Sequence, residues 1–207
     1  MKPSLTFTSQ MFAAVMARRK DVTRRVATTG NQNQLDRLAS AIEKDLHCAD
    51  GLMTEERAMW NTFPPPYGPP GTILPMVTSW ATHRSADNLK PTALFSDHGN
   101  LWFDNTTEKP AWAGKSRPAR FLPKSLYHLA PQVQIVSTGV EPLHDITEED
   151  AKREGCSDKQ LVEGVEMWTS AQEAYAELWD SINADRHDGT YAWNKNPIVW
   201  RIEFKLL

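Results

Sequence analysis

The clearest pattern lies near the C-terminus, where Ile198, Trp200, Ile202, Phe204 and Leu206 alternate with Arg201, Glu203 and Lys205. A period of two predicts a half-buried strand, and Val133–Val140 predicts another. At the other end, Leu5–Phe7 is a short apolar strand candidate, Thr8 or Ser9 supplies a cap, and Gln10–Arg19 has helical composition with Met11, Ala14 and Val15 on one face. Between Thr72 and Asn105 the apolar pieces Ile73–Trp80, Ala93–Phe95 and Leu101–Phe103 are separated by Asp, Asn, Gly and His, the pattern of strands joined by tight turns, with a hairpin expected at His98–Asn100.

Helical spacing recurs three times. Leu35, Leu38, Ile42 and Leu46 predict a helix over Asn33–Cys48, within a helical insertion at about 31–62. Thr147 caps an acidic first turn, Glu148–Asp150, and that helix should run to Glu154 and stop at Gly155. Ser157 with Gln160 reads as a capping box, and the stripe Ala171, Ala174, Tyr175, Leu178, Trp179 and Ile182 predicts the longest helix as its continuation. The run FPPPYGPPG at Phe63–Gly71 forbids regular structure and predicts a stiff loop. The order of elements gives a mixed α+β class, a largely antiparallel sheet or small barrel with helices around it, in one domain over residues 1–207.

Composition narrows the function. Lys and Arg total 23 against 26 Asp and Glu, and a net charge of -3 removes any global electrostatic case for nucleic-acid binding, so a binding surface must come from local clustering. Cys48 and Cys156 are far apart and the six histidines are scattered, so no disulfide framework, metal or other cofactor is expected. Apolar stretches such as Met11–Met16 are too short to span a bilayer, and MKPSLTFTSQ lacks the apolar core of a signal peptide. The expectation is a cytoplasmic monomer without membrane contact.

Local clustering is present in ARRKDVTRR, which packs Arg18, Arg19, Lys20, Arg24 and Arg25 into eight residues. Crowded cations penalise one another's charge, so a partly desolvated Lys20 has a lowered pKa and is a candidate general base. If Asp21–Arg25 is extended, Lys20 and Arg24 share one face with Val22 while Thr23 and Arg25 take the other, and a shared Lys20–Thr23 site then requires a turn. The competing reading is a solvated basic helix end. A second group, Lys115, Arg117, Arg120 and Lys124, is interleaved with Trp112 and Phe121, which suits phosphate contact and base stacking as well as a loop of snorkelling arginines. Trp168, Trp179 and Trp200 lie in amphipathic elements and read as core, whereas Trp80, Trp102 and Trp112 are less predictable from pattern. Glu154 stands at the negative end of its predicted helix, unfavourable for a carboxylate, which a functional partner would explain, although an exposed glutamate needs no explanation.

ARRKDVTRR resembles the GRKTxTxR signature of ASCH domains, including the longer form common in phage and prophage proteins. The resemblance extends through PYGPPGTIL at Pro66–Leu74, KSRPARFLP at Lys115–Pro123, VEPLHDITEEDAKREG at Val140–Gly155, LWDSIN at Leu178–Asn183 and YAWNKNPIVWRIEFK at Tyr191–Lys205. It implies a PUA-like fold, a small β-barrel with flanking α-helices, and a cleft for RNA, DNA or a modified nucleoside in a bacterial host or phage-infected cell. Some small ASCH proteins are amidohydrolases that remove an acetyl group from the exocyclic amine of acetylated cytidine with a lysine, a threonine and a glutamate. Lys20, Thr23 and Glu154 fall on those positions, which implies Thr23 as nucleophile, Lys20 as base and Glu154 either orienting Lys20 or assisting proton transfer to the leaving amine, with Arg25 facing the oxyanion. Arg19, Arg24, Arg25, Lys115, Arg117, Arg120 and Trp80 are the expected ligand contacts. The chain departs from the signature at Arg18, where glycine is usual, at Asp21, often threonine, and in PMVTSW at Pro75–Trp80, where phage-type proteins carry WVRETW. Three functions remain open: an amidohydrolase, a non-catalytic nucleic-acid or nucleotide-binding module, and a phage accessory protein that binds a host protein through the Pro-rich loop and Asn33–Trp60.

Overall fold

The computed structural model describes residues 3–27, 65–94, 101–105, 107–157, 159–162, 165–168 and 170–207, without side chains for 159–168. The predicted helix Asn33–Cys48, the insertion at 31–62 and the turn at His98–Asn100 lie outside the described residues.

The fold is mixed α+β, built on a five-stranded sheet. In chain order its strands are β1 (Leu5–Thr6), β2 (Val22–Val26), β3 (Ile73–Val77), β6 (Gln132–Pro142) and β9 (Ile198–Leu206), and their order across the sheet is β1-β3-β6-β9-β2. The β1–β3 pair is parallel and the other three pairs are antiparallel. Two two-stranded antiparallel sheets are separate from this one: β4 (Trp80–Ala81) with β5 (Trp102–Phe103), and β7 (Lys159–Val162) with β8 (Val165–Trp168). The helices are α1 (Ser9–Met16), α2 (Glu148–Arg153) and α3 (Ala171–Asn183).

The alternation in β9 does what its period requires. Trp200, Ile202 and Phe204 are buried in the main core with Leu5, Phe12, Met76 and Ile135, while Val199 points to the opposite face and joins a second cluster under α2 and α3 with Leu143, Ala151, Tyr175 and Trp179. The sheet is therefore covered on both faces at this end. A third cluster gathers Val77, Trp80, Leu94, Leu122 and Leu126 beneath the loops.

Two expectations change. Lys159–Val162 and Val165–Trp168 pair as antiparallel strands rather than forming the first turns of a helix, with Val162 opposite Val165. The capping box that starts α3 is Ser170 with Glu173, each side chain bonding the other's backbone N–H. The Ala93–Phe95 piece is also not a strand where it is described, because Pro91 opens a 3-10 turn over Pro91–Ala93.

Two endings place the site. Arg18, just past α1, has φ 55, a left-handed conformation that favours glycine. Gly155, just past α2, has φ 91, and a Cβ there would stand 3.2 Å from the Ala14 Cβ and 3.5 Å from the Lys20 Cβ. The absence of a side chain lets the end of α2 approach α1 and Lys20 closely.

Candidate active site

Lys20 leaves the turn after α1 and is 3% exposed. Its ammonium donates to the Val22 carbonyl at 2.8 Å, the Glu154 carbonyl at 2.8 Å and Glu154 Oε2 at 2.5 Å. Glu154 caps the C-terminal end of α2 and is equally buried, so Lys20 supplies the cation that the negative helix end and the carboxylate both need. Burial lowers the Lys20 pKa from its ordinary value of 10.5; Glu154 acts against this shift and Arg25 adds to it. The lowering therefore has desolvation as its main cause, with cation crowding a small part.

Arg24 lies on the face of β2 turned toward α2, opposite Arg201 of β9. Its side chain is fully buried and spends all three nitrogens: Nε on Glu141 at 2.6 Å, Nη2 on Asp150 at 2.6 Å and Nη1 on Glu154 at 3.3 Å. Arg24 thus holds one Glu154 oxygen while Lys20 holds the other. Burial alone would lower the Arg24 pKa, but Glu141 and Glu154 together raise it. Burial pushes the Glu141 carboxyl above its usual value, since an arginine shared among three carboxylates compensates each only in part. Asp150 is held down to about 2, chiefly by hydrogen bonds from Arg201 and then from Arg24, against burial. The buried network was not visible in the sequence as a network. One sign of it was: Asp150 and Glu154 stand four apart, on one face of α2.

Thr23 and Arg25 take the other face of β2, opposite Ile202 and Trp200. The extended geometry expected for Asp21–Arg25 is present from Val22, and no turn joins Lys20 to Thr23. They meet instead around the edge of the sheet: β2 is an edge strand, and a cleft of about 320 Å³ along it is lined from both faces by Lys20, Thr23, Arg24, Arg25 and Glu154. β1, the other edge, contributes Thr6, followed by Phe7 and Thr8, and α3 contributes Tyr175, Leu178 and Trp179. The sheet therefore curls until its two edges face one another. Arg25 Nη2 spans the gap to the Thr6 carbonyl at 2.5 Å, and its guanidinium lies 5.3 Å from the centre of the Phe7 ring. Its Nε is buried and has no partner among the described residues.

The expected ligand contacts separate clearly. Lys20, Thr23, Glu154, Arg24 and Arg25 share the cleft, whereas Arg19 is exposed and does not line it. Arg24 is a positioning residue rather than a ligand contact, because each of its three nitrogens is bonded to a carboxylate. Lys115, Arg117, Arg120 and Trp80 do not line the cleft. Trp80 is wholly buried, its indole N–H donates to the Pro118 carbonyl at 3.1 Å, and Arg117 lies over its ring at 5.6 Å. Arg117 Nη2 is occupied by the carbonyls of Ala86, Asp87 and Leu89, so this pair is a clasp inside the third cluster rather than a base-stacking platform. Lys115 and Arg120 are exposed, as is Lys124. The altered segment Pro75–Trp80 does not line the cleft either, although Val77 pairs with Thr6, which does. Asp21 does not burden Lys20: Arg153 holds its carboxylate at 2.9 Å.

Comparison with family models, with curated proteins and with solved structures finds no match. Among the described residues no cluster of His, Cys, Asp and Glu is arranged to hold a metal ion, and no helix is long and apolar enough to cross a membrane.

Proposed function

We propose that this chain is an ASCH-type protein with a PUA-like sheet, and that it hydrolyses the amide formed between an acyl group and the exocyclic amine of a modified cytidine. The observation that carries this reading is the meeting of Lys20, Thr23 and Glu154 in one cleft, with Lys20 and Glu154 in direct contact although 134 residues apart. Arg18 adds an independent point. The position where the ASCH signature has glycine is one that the backbone holds at φ 55.

The chemistry needs no group beyond the chain and water. Burial favours the uncharged state of Lys20, in which its nitrogen carries a free lone pair. Thr23 Oγ attacks the amide carbon as its proton passes to Lys20, and the resulting oxyanion takes a hydrogen bond from Arg25 Nε. The C–N bond then breaks, the leaving amine takes the proton from Lys20, and water hydrolyses the acyl-threonine to give the acid and restore the hydroxyl. Arg24 keeps Glu154 aimed at Lys20 throughout. The cleft lies in a protein that functions in the cytoplasm of a bacterial or phage-infected cell under this reading.

A second reading, a binding module without turnover, is favoured by one feature: Lys20 already has three acceptors, the full complement of an ammonium. Incubation of the purified protein with acetylated cytidine separates the two. Hydrolysis predicts cytidine and acetate by chromatography, with kcat reduced by about 10²–10⁴ in Lys20→Ala and similarly in Thr23→Ala, while circular dichroism stays native. Absence of cytidine, or equal turnover by folded Lys20→Ala, rules the hydrolase out.

A further inference from the structure

We infer that the cleft is built for a phosphate-bearing mononucleotide rather than an uncharged nucleoside, and that Arg186 is the cation that receives the phosphate. This rests on the nucleobase reading above and narrows its substrate class.

The charges along the cleft do not balance. Lys20, Arg24, Arg25 and Arg186 all line it, against a single carboxylate, Glu154. Lys20 and Glu154 neutralise each other, and Arg24 is compensated from behind by Glu141 and Asp150. That leaves Arg25 and Arg186, neither of which has a carboxylate within ion-pair distance among the described residues. Two uncompensated guanidinium groups on one cleft stand out in a chain whose net charge is -3.

Arg186 is also held in place by neutral groups. Its Nη1 donates to the Asn183 side-chain oxygen at 2.7 Å, and its guanidinium lies 5.7 Å from the centre of the Tyr191 ring. Asn183 is itself buried, and its amide nitrogen donates to the Trp179 carbonyl at 3.2 Å, which fixes the oxygen toward Arg186. A buried amide therefore orients an arginine without cancelling its charge. Such a fork matches the geometry of a phosphate, to which arginine bonds through two parallel N–H groups.

The rest of the lining suits the remainder of a nucleotide. Met11, Leu178 and Ile182 provide apolar surface beside the two cations. A volume of about 320 Å³ is at the small end of ligand pockets, large enough for one nucleotide and too small to enclose a strand.

Calorimetric titration of the purified protein with cytidine, cytidine 5′-monophosphate and a short cytidine-containing RNA tests this directly. The monophosphate is expected to bind at least about tenfold more tightly than cytidine, with an advantage that shrinks at high salt. Arg186→Gln should erase that advantage and leave cytidine affinity within about twofold of the wild type. Equal binding of nucleoside and monophosphate, a preference that survives Arg186→Gln, no binding of either, or RNA bound more tightly than the monophosphate would each overturn the inference. Turnover is scored separately with the acetylated forms. A protein that prefers the monophosphate but releases no cytidine product keeps this inference and loses the hydrolase, whereas one that hydrolyses nucleoside and nucleotide equally does the reverse.

Discussion

Arg24 and Arg25 are neighbours in one edge strand, and the two faces they occupy could hardly differ more. Behind the strand, Arg24 is sealed from solvent among Glu141, Asp150 and Glu154, in a network that continues from Asp150 to Arg201 and from Arg201 to Glu203. In front of it, Arg25 faces the cleft with one donor on a backbone carbonyl, one buried N–H unpartnered among the described residues, and no carboxylate there within ion-pair distance. A buried cation whose charge is cancelled serves to aim other groups. A cation held in place but left uncancelled is poised for a ligand that brings the missing negative charge.

The largest effect is expected from opening the network behind β2. Arg24→Leu leaves three carboxylates around an apolar side chain, and breaking a buried ion-pair cluster by removing one partner costs about 3–5 kcal/mol. Urea denaturation should show a loss of that size, and turnover should fall as well, because Glu154 then has only Lys20 to hold it. A variant within about 1 kcal/mol of the wild type would mean that the network behaves as a set of surface ion pairs, and the contrast between the two faces would fail.

This contrast was only half legible in the sequence. The strand β9 could be read from its period of two, and the cap at Thr147 and the stop at Gly155 from residue types that do one job in a helix. Lys20, Thr23 and Glu154 were singled out by resemblance, and Glu154 also by its place at a negative helix end; what the structure adds is that the three line one cleft. The partners of Arg24 were not, since Glu141 and Asp150 approach it through the register of β6 and the packing of α2, which no local pattern encodes. Ser157 and Gln160 misled because a capping box spans only four residues and does not constrain the chain beyond them, and the valines at 162 and 165 prefer the extended backbone that the strand pair gives them. Trp80 misled for a related reason: an indole in an irregular stretch has no period to reveal that it is core.

The matching change in front of the strand sharpens the comparison. Arg25→Gln gives up the bond to Thr6 and the contact with Phe7, so stability should change by only about 1 kcal/mol. Its effect belongs in catalysis: kcat for acetylated cytidine should fall by about 10²-fold, the loss expected when a donor to the developing oxyanion is removed. Denaturation and turnover measured side by side on the Arg24 and Arg25 variants should therefore fall on different axes. If Arg25→Gln lost several kcal/mol of stability instead, both faces of β2 would be structural.

The smallest effect is a pH dependence that belongs to the rear face alone. Arg201 and Arg24 hold Asp150 at about 2 against its ordinary 3.8, so its carboxylate stabilises the fold above about pH 4 and that contribution is lost as the pH falls toward 2. A difference of that size corresponds to about 2 kcal/mol. In Asp150→Asn the group cannot ionise, so the wild type should be the more stable protein at pH 6 by at least this amount, and the gap should narrow as acid protonates the wild-type carboxylate. All other carboxylates are common to both proteins, which leaves Asp150 as the source of the change. Thermal melts of the pair at pH 6, 4 and 3 measure it. A gap that stays constant over this range would show that Asp150 acts through shape and hydrogen bonding rather than charge, and would remove the electrostatic basis for separating the two faces.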